Sequence, residues 1–230
     1  MKIKIYQIDT DKDKNNVKFA RHELLQKYQG SSEIDASLYK EVFSGDVDCT
    51  TLEGVYTAFN KTPHPLHRGH SLSVSDIVTT DDGAFYCDSF GFQKVDFDES
   101  KAFKPDNLLK IVYVEPHKPP VLAEIENTSF GFQRAVLGGI EEIWVENGTV
   151  LIGNCSAKID KMDGNRRYCD GEKIIAGPFF AVGVRGDDSE DYFRSLTDEE
   201  AQTYMERFAE PEEISQEEVE RDIGIVMRPW

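Results

Sequence analysis

Residues 68–78 read Arg-Gly-His-Ser-Leu-Ser-Val-Ser-Asp-Ile-Val, and residues 86–92 read Tyr-Cys-Asp-Ser-Phe-Gly-Phe. Successive side chains of an extended strand point to opposite faces. The alternation predicts a strand over 71–78 whose serines share one face. Those serines are Ser71, Ser73 and Ser75, and Asp76 lies on the opposite face. A second strand over 84–95 follows the turn-forming residues 80–83, so the two are predicted to form a β-hairpin.

The rest of the first half alternates between strand and helix patterns. The predicted strands cover 2–8 and 39–43, and the predicted helices cover 19–28 and a run that ends at Phe59. Thr50 or Thr51 can cap the second helix, and Pro63 and Pro65 end it. The charged segment 96–105 is the predicted boundary to the second half.

The second half carries strand patterns, one helix and two capping boxes. The predicted strands cover 108–114, 121–125, 140–146, 149–152 and 174–184, and a helix over 128–137 is ended by Gly138 and Gly139. The dipeptide Asn147-Gly148 is a strong hairpin signal. The capping box at Thr197 opens a helix whose apolar face, with Tyr204 and Phe208, is expected to dock on the sheet, and Ser215 opens a second, shorter helix.

These patterns predict an α+β protein of two small domains, each a mainly antiparallel sheet with packed helices. The predicted divisions are 1–97, 107–209 and an acidic C-terminal extension, 210–230. The chain has 230 residues, of which 39% are hydrophobic and 30% charged, as in a folded protein. The four cysteines form no C-x-x-C pair and are expected to be reduced and buried.

The net charge of −17 excludes some classes of partner. Residues 187–222 alone hold 15 acidic and 3 basic residues. Nucleic-acid binding relies on clustered Lys and Arg, so direct binding of nucleic acid is not expected. An acidic chain suits a basic protein partner, or simply solubility. No apolar run is long enough to span a bilayer, and the start lacks the features of a secretory signal, so we expect a cytoplasmic protein without a membrane partner.

Two kinds of chemistry are conceivable in the first half. His64, His67 and His70, with Asp76 or Asp88, contain ligand types that divalent metals use. Ser73 or Ser75 with His70 and Asp88 contains the residue types of a hydrolase. Against these, the histidine spacing is no recognised zinc pattern and no strained Gly-x-Ser-x-Gly turn is present. We therefore expect no metal, no cofactor and no catalytic residue.

Instead, the first half is expected to bind protein through a motif surface. Its predicted members are His70, Ser71, Ser73, Ser75, Asp76, Asp88 and Phe90.

The second half contains two charged groups of residues, each with two interpretations. Asn154, Lys158, Asn165, Arg166 and Arg167 have the fork-shaped and amide donors that suit an anionic ligand or peptide carboxylate. The alternative is an Asn-Arg turn whose arginine pairs with the acidic tail. The acidic residues Glu210, Glu212, Glu213, Glu217, Glu218, Glu220 and Asp222 could approach the charge density of duplex DNA and act as a decoy. The alternative is a solvated acidic face that keeps the protein soluble.

Each half of the chain resembles a different family. The segments 5–7, 38–39, 59–60, 69–76 and 86–92 resemble the YodL-like domain over about residues 1–97. The segments 112–116, 137–141, 165–166, 175–177 and 196–200, with Asn154, resemble an uncharacterised domain family of phages and conjugative elements over about 107–209. That family often has a Gly-Lys pair where this chain has Ala157-Lys158.

Neither resemblance supplies catalytic residues. Together they imply an accessory protein of a Firmicutes mobile genetic element, either a phage or a conjugative element. Such a protein would act by protein contacts, as an anti-defence or DNA-mimic factor, on a basic host or element-encoded protein such as a DNA-binding enzyme. The alternative is a small-ligand or metal-binding protein, or a hydrolase, that uses the polar residues of either half.

Overall fold

The computed structural model describes residues 1–61, 64–146, 148–169, 171–185 and 192–223, except for the side chain at 146. The chain divides into two compact units, Met1–Asp106 and a second that begins at Asn107. Each unit contains a mainly antiparallel sheet with helices, which confirms the α+β prediction.

The first unit is a five-stranded antiparallel sheet in the order β2-β1-β3-β4-β5. Its strands are β1 (Lys2–Ile8), β2 (Tyr39–Asp46), β3 (Ile77–Thr80), β4 (Gly83–Cys87) and β5 (Phe92–Val95), and its helices are α1 (Leu25–Gln29) and α2 (Leu52–Lys61). Short 3-10 turns cover His22–Leu24, Ala36–Leu38 and Glu99–Lys101. Helix α2 begins after Thr51, whose hydroxyl accepts the N–H of Gly54. Phe59 of α2 packs edge-on against Phe43 of β2, with ring centroids 5.0 Å apart. Through this contact α2 packs on the sheet.

The predicted strand over 71–78 is wrong for its first six residues. Of the residues predicted as this strand, only Ile77 and Val78 belong to β3, and residues 71–76 lie in a loop that contains a turn. The Asp76 side chain accepts the backbone N–H of Ser73, a local bond that competes with strand pairing. Ser75 adopts a φ of +80° and is buried, whereas Ser71 is exposed, so the serines do not share a face.

Two other predictions in the first unit need correction. The strand predicted over 84–95 is two strands, because a tight turn over 88–91 separates β4 from β5 and Gly91 has a φ of +74°. The helix predicted over 19–28 begins only at His22, since Phe19 has a φ of +65° that no right-handed helix permits. Pro63 lies outside the described residues, and α2 ends at Lys61.

The second unit has a main sheet in the order β7-β6-β12-β9-β8, with β13 paired to β12, and a separate β10-β11 pair. Its strands are β6 (Leu108–Val114), β7 (Val121–Glu126), β8 (Ile140–Glu146), β9 (Thr149–Asn154), β10 (Gly164–Tyr168), β11 (Lys173–Ala176), β12 (Phe179–Val184) and β13 (Phe193–Arg194). Its helices are α3 (Ser129–Val136), α4 (Asp198–Arg207) and α5 (Gln216–Asp222).

Helix α4 docks on the sheet as its apolar face predicts. The capping box of Thr197 and Glu200 is formed. Tyr204 and Phe208 are buried in one cluster with sheet residues, and the ring of Phe208 lies 5.1 Å from that of Phe179. The capping box at Ser215 likewise opens α5.

Three details of the second unit differ from the predictions. The strand predicted over 174–184 is two strands in different sheets, since Gly177 has a φ of +69° and Pro178 follows it. Leu137, not Gly138, takes the left-handed position that ends α3. Gly138 is needed instead for close approach, because a Cβ there would lie 2.5 Å from the amide nitrogen of Asn154. The hairpin of β8 and β9 is confirmed, although Asn147 lies outside the described residues.

The cysteines and the helices bear on two further expectations. Cys87 is buried, but Cys155 and Cys169 are exposed, which corrects the expectation of buried cysteines. Among the described helices, none combines the length and apolar composition that crossing a membrane requires.

Candidate functional site

Gln7 of β1 connects the motif residues of the first unit, although it was not among the predicted site residues. Its amide nitrogen donates to the His70 carbonyl oxygen at 2.8 Å and to Asp76 Oδ2 at 2.9 Å. Its amide oxygen accepts the backbone N–H of His70 at 3.0 Å. Three bonds from one buried side chain hold the loop over 69–76 against the sheet.

Gly69 allows this loop to approach Gln7. A Cβ at this position would overlap the amide oxygen of Gln7 and would lie 3.1 Å from the Cβ of Val42. The Gly-His pair at 69–70 is therefore a requirement of packing as well as of any site that the loop forms.

Asp76 is a carboxyl group with almost no contact with water, since its residue is 1% exposed. It accepts the Ser73 N–H at 2.8 Å and the Gln7 amide at 2.9 Å. Burial raises the pKa of Asp76 to about 8, and these hydrogen bonds with the distant charge of Lys18 only partly oppose that effect. Asp76 is thus mainly protonated and neutral at pH 7.

His70 presents one nitrogen whose lone pair has no partner. Its Nδ1 lies 2.8 Å from the carbonyl oxygen of Ser71 and 3.1 Å from the amide nitrogen of Gln7. Because that amide already donates both hydrogens, to the His70 carbonyl and to Asp76, the shorter contact with the Ser71 carbonyl favours a proton on Nδ1 and a lone pair on Nε2. Burial lowers the pKa of His70, which favours this neutral ring. Among the described residues, the buried Nε2 atom finds no hydrogen-bond partner. An imidazole oriented in this way is suited to accept a hydrogen bond.

Two residues with a positive φ, Phe19 and Ser75, lie next to this site. The backbone N–H of Phe19 donates to the Ser75 hydroxyl at 2.9 Å, and both residues have a positive φ. Tyr39 donates its phenolic O–H to the Ser75 carbonyl at 3.0 Å. The ring of Phe19 is 57% exposed, and its centroid lies 5.5 Å from that of His70. Strained backbone of this kind is concentrated at functional sites.

A cavity of about 320 Å³ opens beside this cluster. Its lining comes from the end of β1, from the loop that follows and from the 68–70 segment, and it includes Gln7, Asp9, Asp11, Lys18, Lys40, Arg68 and His70. Gln7 and Lys40 are cross-strand partners of β1 and β2. The cavity therefore combines three cations and two carboxylates with the imidazole of His70.

The residues considered for metal or hydrolase chemistry make other contacts in the structure. The rings of His64 and His67 pack around Phe59, at 6.1 and 5.1 Å between centroids. No group of three or more His, Cys, Asp or Glu side chains that could hold a metal exists within the described ranges. No hydrogen bond among the described residues joins Ser73 or Ser75 to His70. The Ser73 hydroxyl instead donates to the Ser71 carbonyl oxygen.

Phe90 is the most exposed of the predicted motif residues. It lies at the tip of the turn between β4 and β5, and 95% of its surface is exposed. The turn is closed by the Asp88 N–H, which donates to the Gly91 carbonyl at 3.0 Å, and the Asp88 carboxylate accepts the Ser89 N–H at 2.7 Å. The ring is thus held outward on a well-defined turn.

The amide groups of the second-unit candidates are used inside the protein. The Asn154 amide nitrogen donates to the carbonyls of Val136 and Leu137, each at 3.2 Å. That of Asn165 donates to the carbonyls of Val114 and Gly177. Both asparagines therefore join separate strands and turns of the fold.

The two arginines of β10 have opposite environments, and their segment is a strand, not a turn. Arg166 is buried, and its guanidinium donates to the carbonyls of Lys118 and Phe208, each at 2.8 Å, and to Asn165. Burial lowers its pKa. Arg167 is partly exposed and pairs with Glu212 at 2.7 Å and Glu218 at 2.8 Å. Arg167 thus does pair with the acidic segment.

The acidic segment 210–222 is attached to the second unit along its length. Its carboxylates pair with lysines of the second unit, Asp222 with Lys158 at 2.6 Å and with Lys173 at 3.7 Å, and Glu220 with Lys161 at 3.7 Å. Glu213 lies 3.9 Å from Nδ1 of His117, and Glu217 pairs with Arg221 within the segment at 2.6 Å. Ile214 and Val219 are buried against Ala157, Ile174 and Ala176. We call residues 210–222 the acidic strap. Glu210, its first carboxylate, is exposed.

Replacing Arg167 with Met is expected to loosen the acidic strap. The substitution removes both carboxylate contacts while keeping an unbranched side chain, and partly exposed pairs of this kind contribute up to about 1 kcal/mol each. We expect cleavage between 208 and 223 to become several-fold faster in limited proteolysis. Arg221→Met, which breaks the exposed pair with Glu217, is the matched control and should change the rate little. Equal cleavage of the Arg167→Met variant and the wild type would contradict the role of Arg167 as an anchor.

Comparison with known proteins identifies a domain in each unit. Residues 2–97 match the family model of the YodL-like domain, and residues 109–209 match that of a domain of unknown function (DUF3846). No curated protein and no solved structure matches the chain.

Proposed function

We propose that this protein, which joins a YodL-like domain to a domain of unknown function, is an accessory protein of a mobile genetic element, either a phage or a conjugative element. It binds another protein and catalyses no reaction. The proposal that it catalyses no reaction is supported by the hydrogen bonds of the serines in the first unit. The hydroxyls of Ser73 and Ser75 are hydrogen-bonded to backbone, and neither contacts a base among the described residues.

Phe90 is the observation that carries this proposal. A phenylalanine ring exposed over 95% of its surface gains no burial within its own unit. Aromatic side chains dominate the binding energy of many protein interfaces when they enter a pocket of the partner. The hydrogen-bonded turn over 88–91 fixes the backbone that carries the ring, which reduces the backbone entropy lost on association.

The proposed partner is a basic host or element-encoded protein, with DNA-binding enzymes included. The net charge of −17 would steer a basic partner at long range. The DNA-mimic form of the hypothesis has less support, because Arg167, Lys158 and Lys173 pair with three carboxylates of the acidic strap. The remaining outward carboxylates suit attraction and solubility better than a phosphate-like ridge.

Replacing Phe90 with Ser is expected to weaken capture of the partner at least tenfold, as for an aromatic interface residue. The measurement is capture from a host lysate on immobilised full-length protein, followed by titration of the purified partner at low and high salt. Phe130→Ser, at an exposed aromatic of the second unit, is the matched control. Full retention of the partner by the Phe90→Ser variant would refute the role of this turn.

Substitutions are preferable to truncation in this test. A chain that ends at Arg185 lacks Leu196, Tyr204 and Phe208, which are buried in the core of the second unit. If such a chain lost binding, the cause could equally be unfolding of the second unit or the loss of a contact with the partner.

A further inference from the structure

The cavity beside His70 has the charges of a site for an anion that also carries hydroxyl groups. Lys18 and Lys40 line it together with Arg68. Arg68 already lies 3.5 Å from Glu41, so the two lysines supply the charge for a ligand. Lys18 donates one N–H to the Thr10 hydroxyl and keeps two. The carboxylates of Asp9 and Asp11, also in the lining, can accept hydrogen bonds from ligand hydroxyls.

An exposed aromatic ring lies next to these charges. The Lys18 Nζ atom is 5.5 Å from the centroid of the Phe19 ring, and the same ring is 5.5 Å from that of His70. Phe19 is held there in a strained conformation by the bond of its N–H to Ser75. Flat heterocycles stack on exposed aromatic side chains beside cationic grooves in nucleotide-binding proteins.

We propose that this cavity binds a nucleoside monophosphate, with its phosphate on Lys18 and Lys40 and its ribose hydroxyls on Asp9 or Asp11. The base extends past His70 and stacks on the exposed ring of Phe19, which contacts His70 but is not itself part of the cavity lining. The cavity volume of about 320 Å³ is at the low end for ligand sites, which run from about 300 to 1,000 Å³, and it favours a mononucleotide over a dinucleotide.

The test is isothermal titration calorimetry on the full chain, with AMP, GMP, CMP and UMP as probes. Inorganic phosphate and adenosine, titrated separately, represent the two halves of the ligand. We expect at least one monophosphate to bind more than tenfold tighter than either half. Binding should weaken as salt is raised, because it depends on the lysines.

Two substitutions locate the site, and a third controls for it. Phe19→Asn removes the ring at a position whose positive φ asparagine tolerates, and it should weaken binding roughly tenfold, the loss of one base–aromatic stack. Lys40→Gln should weaken phosphate-dependent binding while its strand pairing is kept. Phe130→Asn removes an exposed aromatic ring of the second unit that is not in the cavity lining, and it should leave the affinity unchanged.

Either of two results would overturn the proposal. One is that none of the four monophosphates binds the wild-type chain. The other is that a monophosphate binds with equal affinity to the wild type and to the Phe19→Asn and Lys40→Gln variants. Folding of each variant is checked by circular dichroism, so that lost binding is not confused with lost structure.

Discussion

Replacing Arg166 with Met is expected to lower the free energy of unfolding of the second unit by roughly 3 kcal/mol or more. The guanidinium supplies hydrogen bonds to the backbone carbonyls of Lys118, Phe208 and Asn165. Removing the donor leaves these acceptors without it in a buried environment, and each such group costs about 1–3 kcal/mol. The same guanidinium joins the end of α4 to β10, so its loss should also release the acidic strap.

Arg167→Met is the matched control, since it alters the next residue of the same strand. Its partners are two partly exposed carboxylates, and we expect a loss of at most about 1 kcal/mol from each pair. Urea unfolding followed by tryptophan fluorescence measures both variants, because Trp144 lies in β8 of the second unit and residues 1–106 contain no tryptophan. Similar losses for the two variants would show that Arg166 does not have the structural role assigned to it.

Replacing Asp76 with Asn is expected to remove a marked pH dependence from the stability of the first unit. Burial raises the pKa of this carboxyl to about 8, whereas an unfolded aspartate titrates near pH 4. Below about pH 4 both states are protonated. Between about pH 4 and 8 the unfolded carboxyl loses its proton while the folded one keeps it, so stability falls as pH rises. The slope from this group is at most about 1.4 kcal/mol per pH unit.

The measurement is hydrogen exchange of the β3 and β4 amides at pH values from 5 to 8, corrected for the intrinsic exchange rate. The wild type should lose stability relative to the Asp76→Asn variant as pH rises. Hydrogen bonds from Lys4 and Tyr6 lower the pKa of Glu99, which acts in the opposite sense, but this effect is common to both proteins and cancels in the difference. Parallel stability curves for the two proteins would mean that Asp76 is ionised in the folded state.

Sequence patterns predicted the elements whose bonds are local. The helix caps at Thr197 and Ser215 are satisfied by a glutamate three residues away, so the capping box reveals them in the sequence. The hairpin of β8 and β9 is indicated by the Asn147-Gly148 dipeptide in the sequence. One error arose where a side chain took over a backbone bond, as Asp76 does for the Ser73 N–H, which replaced the predicted strand with a turn. Others arose at positive φ values, as at Phe19, Gly91 and Gly177.

The candidate site could be predicted only in part. His70, Asp76 and Phe90 were chosen as motif residues, but the pattern placed all of them on one exposed surface. In the structure Asp76 is buried and Phe90 is almost fully exposed. Gln7, Lys18, Lys40 and Phe19 were not predicted as site residues. The one sequence signal for Gln7 is its place in segment 5–7, which resembles the YodL-like domain. Lys18, Lys40 and Phe19 have no such signal, since their roles depend on β1, β2 and two loops meeting.

The sequence by itself therefore determined the α+β class, most strands and the starts of the helices that have a capping side chain, because hydrophobic periodicity and capping act between neighbouring residues. Only the tertiary structure decided what the polar residues do. Gln7 meets Asp76 across 69 positions of the chain, and Arg166 meets Phe208 across 42. A buried amide, carboxyl or guanidinium must find partners wherever the fold brings them, so its role is fixed by packing and not by its local sequence.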